Sequence, residues 1–157
     1  FNQTVMLVDG DLRRQNIHRV MGYAGGAGLA DYLLQQRPLK DIVVWPGIEQ
    51  MTLISGGRTV SNSAELLSSP RMKALVEEMK ARYEDRYVIF DSAPVLSGAD
   101  AMALAAHVDC VLLVVEEGRT SLREVKEAIA MLPAEKLLGF VLNRQKKPMT
   151  KGYTYYG

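Results

Sequence analysis

The residues best placed to do chemistry are Asp9 and Asp11, in the stretch Val5-Met6-Leu7-Val8-Asp9-Gly10-Asp11-Leu12-Arg13-Arg14. Side chains two apart on an extended backbone point the same way, so these carboxylates can converge just past the end of a strand. That edge is where open α/β sheets bind their ligands. Two neighbouring carboxylates are costly without a cation between them, and Mg²⁺ held through waters meets that need. The plainer reading is a strand running into a polar turn, since Asp-Gly is a common turn dipeptide. A second apolar run, Tyr87-Val88-Ile89-Phe90, ends in Asp91, with Pro94 stopping the strand soon after. A parallel sheet brings both strand ends to one edge. Strand-end aspartates of this kind hold Mg²⁺ against phosphates in nucleotide-hydrolysing sheets.

The elements that must position these carboxylates are legible as alternating patterns. Both apolar runs read as strands buried on two faces, as in a parallel sheet. Gly25-Gly26-Ala27-Gly28 reads as a loop feeding a short helix whose apolar face is Leu29, Leu33 and Leu34. With no Lys-Ser or Lys-Thr after them, these glycines read as an ordinary turn rather than a phosphate cradle. Ile42 to Trp45 and Met51 to Ser55 are strand candidates split by Pro46-Gly47. Ser63 to Leu67 is a helical turn, and Pro70 opens a longer helix with the stripe Met72, Leu75, Val76, Met79, Tyr83. Asp100 to Ala106 reads as a helix and Cys110 to Val115 as a buried strand. Ser121 and Glu124 form a capping box for a helix presenting Leu122, Val125, Ile129 and Leu132. Leu138 to Leu142 is the last strand, ending at Asn143. The alternation predicts an α/β fold, a mostly parallel sheet flanked by helices on both faces.

Composition narrows the function classes. The 157 residues are 48% hydrophobic, enough for one sizeable core. A net charge of +1 gives no global case for binding nucleic acid or an anionic membrane. The single cysteine, Cys110, excludes an internal disulfide and, inside its apolar run, reads as a buried inert thiol. His18 and His107 share no metal-ligand spacing with it. No apolar run approaches the ~20 residues of a membrane helix. The first strand begins after four residues and without an initiator methionine, so the chain is expected to be a piece of a longer protein. Residues 1–145 read as one domain and 146–157 as a basic, tyrosine-rich tail.

Taken together, these stretches resemble the bacterial tyrosine kinases (BY-kinases) of capsule and exopolysaccharide synthesis. That family belongs to the deviant-Walker P-loop ATPases, with MinD and ParA. Leu7-Val8-Asp9-Gly10-Asp11-Leu12-Arg13-Arg14 is similar to the family's A-prime motif, and Val88-Ile89-Phe90-Asp91-Ser92-Ala93-Pro94 to its Walker B strand. Ala64-Glu65-Leu66-Leu67-Ser68-Ser69 with Arg71-Met72 resembles the segment between them. Leu113-Val114-Val115, Gly118-Arg119-Thr120 and Val141-Leu142-Asn143 resemble the later strands, and Tyr153-Thr154-Tyr155-Tyr156 the start of the autophosphorylated tyrosine cluster.

The resemblance implies a Rossmann-like three-layer P-loop fold and an ATP-dependent protein-tyrosine autokinase that regulates exopolysaccharide synthesis and export. It implies that Asp11 and Asp91 hold Mg²⁺ and that Asp9 accepts the tyrosine proton. Asn143 would contact adenine, Arg13 and Arg14 would meet phosphates or a neighbour's tail, with surface salt pairing as the plainer alternative, and Tyr153, Tyr155 and Tyr156 would accept phosphate. Its implied partners are a membrane-anchored chain-length regulator acting as activator and other copies of the chain, exchanging tails in a ring. No nucleic acid is implied. The implied location is the cytoplasmic face of the inner membrane, reached through that partner. One departure stands out: the chain has no Gly-x-x-x-x-Gly-Lys-Ser/Thr, the loop that cradles phosphates. Such a loop is expected upstream of Phe1, and this chain alone is expected to be inactive. The alternatives are a MinD- or ParA-like positioning ATPase and a nucleotide-free interaction module of the same fold. A receiver domain fits less well, for want of a lysine after Val115.

Overall fold

Asp9 and Asp91 are aligned by backbone pairing. In the computed structural model, which describes residues 3–35, 37–82 and 85–145, β1 (Thr4–Asp9) and β4 (Arg86–Asp91) run parallel. Their register carries Thr4 opposite Arg86 through to Asp9 opposite Asp91. On its other side β1 pairs in parallel with β3 (Met51–Ile54). The two-residue β2 (Val43–Val44) closes that edge antiparallel to β3, giving the order β2-β3-β1-β4. The β-branched and long apolar residues of β1 suit a pleated surface that is largely covered.

The chain divides into two compact units, Phe1–Val108 and Asp109–Gly157. In the first, Met6 and Val8 of β1 join a core built from α2 (Leu29–Gln35), α3 (Ser63–Leu67), α4 (Pro70–Arg82) and α5 (Asp100–Ala105). Leu29, Leu33, Leu67, Met72, Leu75, Met79 and Leu104 are the helical contributors. Each such side chain, fully buried, contributes about 1.5–3 kcal/mol. On α2 the inward aromatic is Tyr32, whereas Leu34, expected on the apolar face, is exposed. A short helix absent from the sequence reading, α1 (Ile17–Val20), follows the A-prime loop.

The β4 run, read as two-sided, proves more one-sided. Along β4, Tyr87 and Ile89 are 58% and 51% exposed, while Val88 and Phe90 pack on the core. Among the described residues of this unit, the helices cover the Val88 and Phe90 side. In the second unit β5 (Val111–Glu116) pairs in parallel with β6 (Leu137–Asn143), joined by the crossover helix α6 (Leu122–Met131). The capping box is present: Glu124 N–H donates to Ser121 Oγ at 3.2 Å, and Ser121 N–H to Glu124 Oε2 at 2.7 Å. Leu112 and Val114 of β5 and Leu138 and Phe140 of β6 are exposed, as is Leu122 at the start of α6. Cys110 is exposed rather than buried, because it precedes the first paired residue of β5. Tyr83, Tyr153, Tyr155 and Tyr156 lie outside the described residues.

Candidate active site

A single glycine lets the two strand ends stay in contact where the carboxylates gather. The Gly10 N–H donates to the Asp91 carbonyl at 2.7 Å, carrying the ladder one step past Asp9. A Cβ at position 10 would lie 2.7 Å from Leu104 Cδ1 and 2.8 Å from the Asp91 carbonyl oxygen. Any larger residue would therefore wedge β1 from β4.

Asp9 is fully buried. Its Oδ2 accepts from the backbone N–H groups of Asn16 and Ile17, each at 3.2 Å, while its Oδ1 has no hydrogen-bond partner. Burial raises its pKa above the ordinary aspartate value, and the nearby charge of Asp91 adds to that against the opposing amides. Asp91 stands at the exposed rim. Partial desolvation and the charge of Asp11 push its pKa up as well. Asp11 is half-buried and uses Oδ1 to accept from the N–H groups of Arg13 and Arg14, at 3.2 and 2.9 Å. None of these three carboxylates forms an ion pair among the described residues. Asp91 is repelled by both Asp9 and Asp11, and among the described residues no cationic side chain offsets that.

This donor set suits a hard divalent cation. An orphaned buried carboxylate oxygen and carboxylates with raised proton affinity fit a bound positive charge. Among the described residues, no group of three or more acidic, histidine or cysteine side chains is placed to hold a metal ion. Mg²⁺ does not need one, since it keeps several waters and takes one or two carboxylates plus phosphate oxygens.

The side chain of Arg13 is engaged elsewhere. Its Nε donates to Ser63 Oγ at 2.7 Å and lies 3.2 Å from Asp100 Oδ2, and Ser63 Oγ donates to that same oxygen at 2.8 Å. Ser63 and Asp100 are both buried, and Asp100 Oδ1 has no partner. A second knot lies on the loops after β3 and before α2. Asp31 accepts from Gly28 N–H at 3.0 Å, from Arg58 N–H at 3.3 Å and from Arg58 Nε at 2.8 Å. The first amides of α2, on Leu29 and Ala30, donate to the carbonyls of Ser55 and Gly56. In the second unit Asn143 is exposed, and its Oδ1 accepts from Arg144 N–H at 2.8 Å. Its amide nitrogen has no partner among the described residues.

Sequence reasoning found the aspartates and missed Ser63, Asp100 and Asp31, which it took as ordinary helix residues. Their partners are 37 and 50 residues away for Ser63 and 27 for Asp31. No spacing rule reaches that far.

No protein-family model matches the chain. Over 156 residues it is 35% identical to the tyrosine-protein kinase YwqD of Bacillus subtilis, covering 98% of this chain and 65% of YwqD. The chain thus spans just under two thirds of that relative's length. The kinase domain of Escherichia coli tyrosine kinase ETK superposes with a TM-score of 0.84 at 28% identity, over 99% of this chain and 61% of that one. The chimerical protein CapA2B2 gives 0.83 at 30% identity, over 91% and 63%. A septum site-determining protein MinD complexed with Mg-ADP, from Pyrococcus horikoshii, gives 0.69 at 23% over 94% and 60%, a likeness of fold.

Proposed function

We infer that the chain, 35% identical to YwqD over 98% of its own length, belongs to the bacterial tyrosine-protein kinases, and propose that the protein it forms part of is an ATP-dependent tyrosine autokinase. The observation that carries this reading is the aspartate trio at the paired ends of β1 and β4, left without a compensating cation. We assign Asp11 and Asp91 to Mg²⁺ and Asp9 to the proton of the attacking tyrosine. Bound there with ATP, Mg²⁺ would supply charge neutralisation of the phosphates. In the transfer, the phenolic oxygen forms a bond to the γ-phosphorus and the bond to the β–γ bridging oxygen breaks. ADP leaves, and the phenolic proton passes to a carboxylate. A raised pKa makes Asp9 a better acceptor than an ordinary aspartate, and its unpartnered Oδ1 is the atom left for that duty.

The remaining roles follow the same reading. Asn143, with its free amide nitrogen, faces adenine; the terminal nitrogens of Arg13, which have no partner among the described residues, meet phosphate. The acceptors are Tyr153, Tyr155 and Tyr156, outside the described residues. These 157 residues contain no Gly-x-x-x-x-Gly-Lys-Ser/Thr to cradle phosphate. Regulation of exopolysaccharide synthesis, a membrane-anchored activator, tail exchange between copies and a place at the cytoplasmic face of the membrane complete the proposal. Among the described residues no helix is long and apolar enough to cross a membrane. The test is incubation of the whole gene product with Mg-ATP and detection of phosphotyrosine. Labelling is expected, and is lost when Tyr153, Tyr155 and Tyr156 are all changed to Phe. ATP hydrolysis with no tyrosine labelling would favour the second reading, a MinD-like ATPase, which rests on the likeness of fold.

A further inference from the structure

The arginine nearest the carboxylate trio is turned away from it. Arg13 lies two residues past Asp11 and donates its backbone N–H to Asp11 Oδ1, so its guanidinium starts within reach of that carboxylate. An arginine placed there would ordinarily pair with Asp11 and neutralise it. Instead Asp100, the first residue of α5, and Ser63, the first residue of α3, take its Nε. Holding it there has a cost: Asp100 is buried as a charge, and its Oδ1 finds no partner. A buried carboxylate left half-satisfied is poor value for stability alone.

We propose that Ser63 and Asp100 are positioning residues that divert the Arg13 guanidinium from Asp11 and so keep Asp11 and Asp91 open to a divalent cation. The inference rests on the reading that this pair holds Mg²⁺. It assigns the diversion to residues on two helices that do not touch the cation. With the Nε edge fixed, the two terminal nitrogens of Arg13 remain for an anion at the same site, on a side chain 49% exposed. One buried pair thus separates a metal-binding carboxylate from an anion-binding guanidinium only two residues along the chain. Without the pair, the two charges would cancel each other.

The test measures Mg²⁺ uptake by the whole gene product in the presence of a non-hydrolysable ATP analogue, by calorimetry, with Mn²⁺ line broadening as a second probe. Residues that orient a metal site from outside its ligand shell typically carry ~10- to 100-fold in metal affinity. Asp100→Asn is expected to raise the half-saturating Mg²⁺ concentration by ~10-fold or more, and Ser63→Ala by a smaller factor within that trend. The Arg13 Nε–H resonance should lose its protection from exchange in Ser63→Ala, which removes the hydroxyl that accepts from it. Asp100→Asn should cost Mg²⁺ affinity only where Arg13 is present, so the double variant Asp100→Asn/Arg13→Gln should bind Mg²⁺ as tightly as Arg13→Gln alone; a merely structural role for Asp100 would leave the double variant weaker than Arg13→Gln by the same factor as in the single variant. That last result, or an unchanged Mg²⁺ requirement in Asp100→Asn, overturns the proposal. Ser63→Ala removes one hydrogen bond without stranding a charge, so it carries the test if Asp100→Asn does not fold; an unchanged requirement there overturns it equally. Tyrosine labelling with no Mg²⁺ response in the variants would sink the diversion and spare the kinase. The full Mg²⁺ pattern with no tyrosine labelling would do the reverse.

Discussion

Asp9 and Asp31 are both buried aspartates in the first unit, and they are treated in opposite ways. Asp31 has a cation and two amides: burial raises its pKa, but Arg58 and the N–H groups of Gly28 and Arg58 outweigh that and hold it below the ordinary range. Asp9 has two amides and no cation, one orphaned oxygen, a carboxylate neighbour, and a pKa held above the ordinary range. A protein that buries a carboxylate for structure satisfies it, as at Asp31. Asp100 also keeps an orphaned oxygen but has the Arg13 guanidinium beside it; Asp9 lacks both a full set of donors and a cationic partner among the described residues, and on our proposal a bound group supplies the balance.

The largest effect is expected from breaking the satisfied member. Asp31→Ala strands Arg58 and two loop amides; half-exposure of Arg58 tempers the loss to about 3 kcal/mol, read as a fall in thermal midpoint of roughly 6–12 °C. Gly10→Ala should follow at about 1–3 kcal/mol, because the Asp91 carbonyl 2.8 Å from the new Cβ is backbone and cannot swing aside. Relieving the unsatisfied member should have the opposite sign. Asp9→Asn keeps an acceptor for Asn16 and Ile17 and removes the repulsion with Asp91, so the midpoint should rise by ~2–4 °C, about 1 kcal/mol.

The two aspartates also pull stability in opposite directions with pH. Asp31, whose folded pKa is depressed, contributes stability above its unfolded pKa that is lost as pH falls through its folded value. Asp9, whose folded pKa is raised, binds its proton more tightly when folded. It costs stability as pH rises from the unfolded to the folded value, and that cost is relieved on acidification. Denaturation curves across the acid range should therefore show Asp31→Asn flattening the acid loss and Asp9→Asn gaining most toward neutral pH.

How much of this was legible in the sequence follows from the range of each interaction. Local signals reported themselves: apolar runs gave β1 and β4, a stripe of spacing three and four gave α4, and Ser121 with Glu124 gave the cap of α6. The aspartates showed because a charge at the end of an apolar run stands out in one dimension. Exposure did not. Tyr87, Ile89 and Leu112 read as covered because periodicity says which residues share a face, not whether anything lies over it. Cys110 misled in the same way, one residue outside its strand. The Arg13, Ser63 and Asp100 contacts were invisible since they depend on α3 and α5 meeting in space. Asp31 read as a helix residue because its partner lies in a loop that follows two intervening strands.

The central claim is that the unsatisfied aspartate serves chemistry and the satisfied one serves the fold. The most direct measurement compares tyrosine phosphorylation by the whole gene product carrying Asp9→Asn with that carrying Asp31→Asn, at a temperature where both remain folded. Loss of a proton acceptor is worth ~10²–10⁴ in rate, so Asp9→Asn should lose at least about 100-fold with an unchanged or raised thermal midpoint, and Asp31→Asn should keep most activity with a lowered one. Equal losses in both, or an active Asp9→Asn protein, would contradict the account.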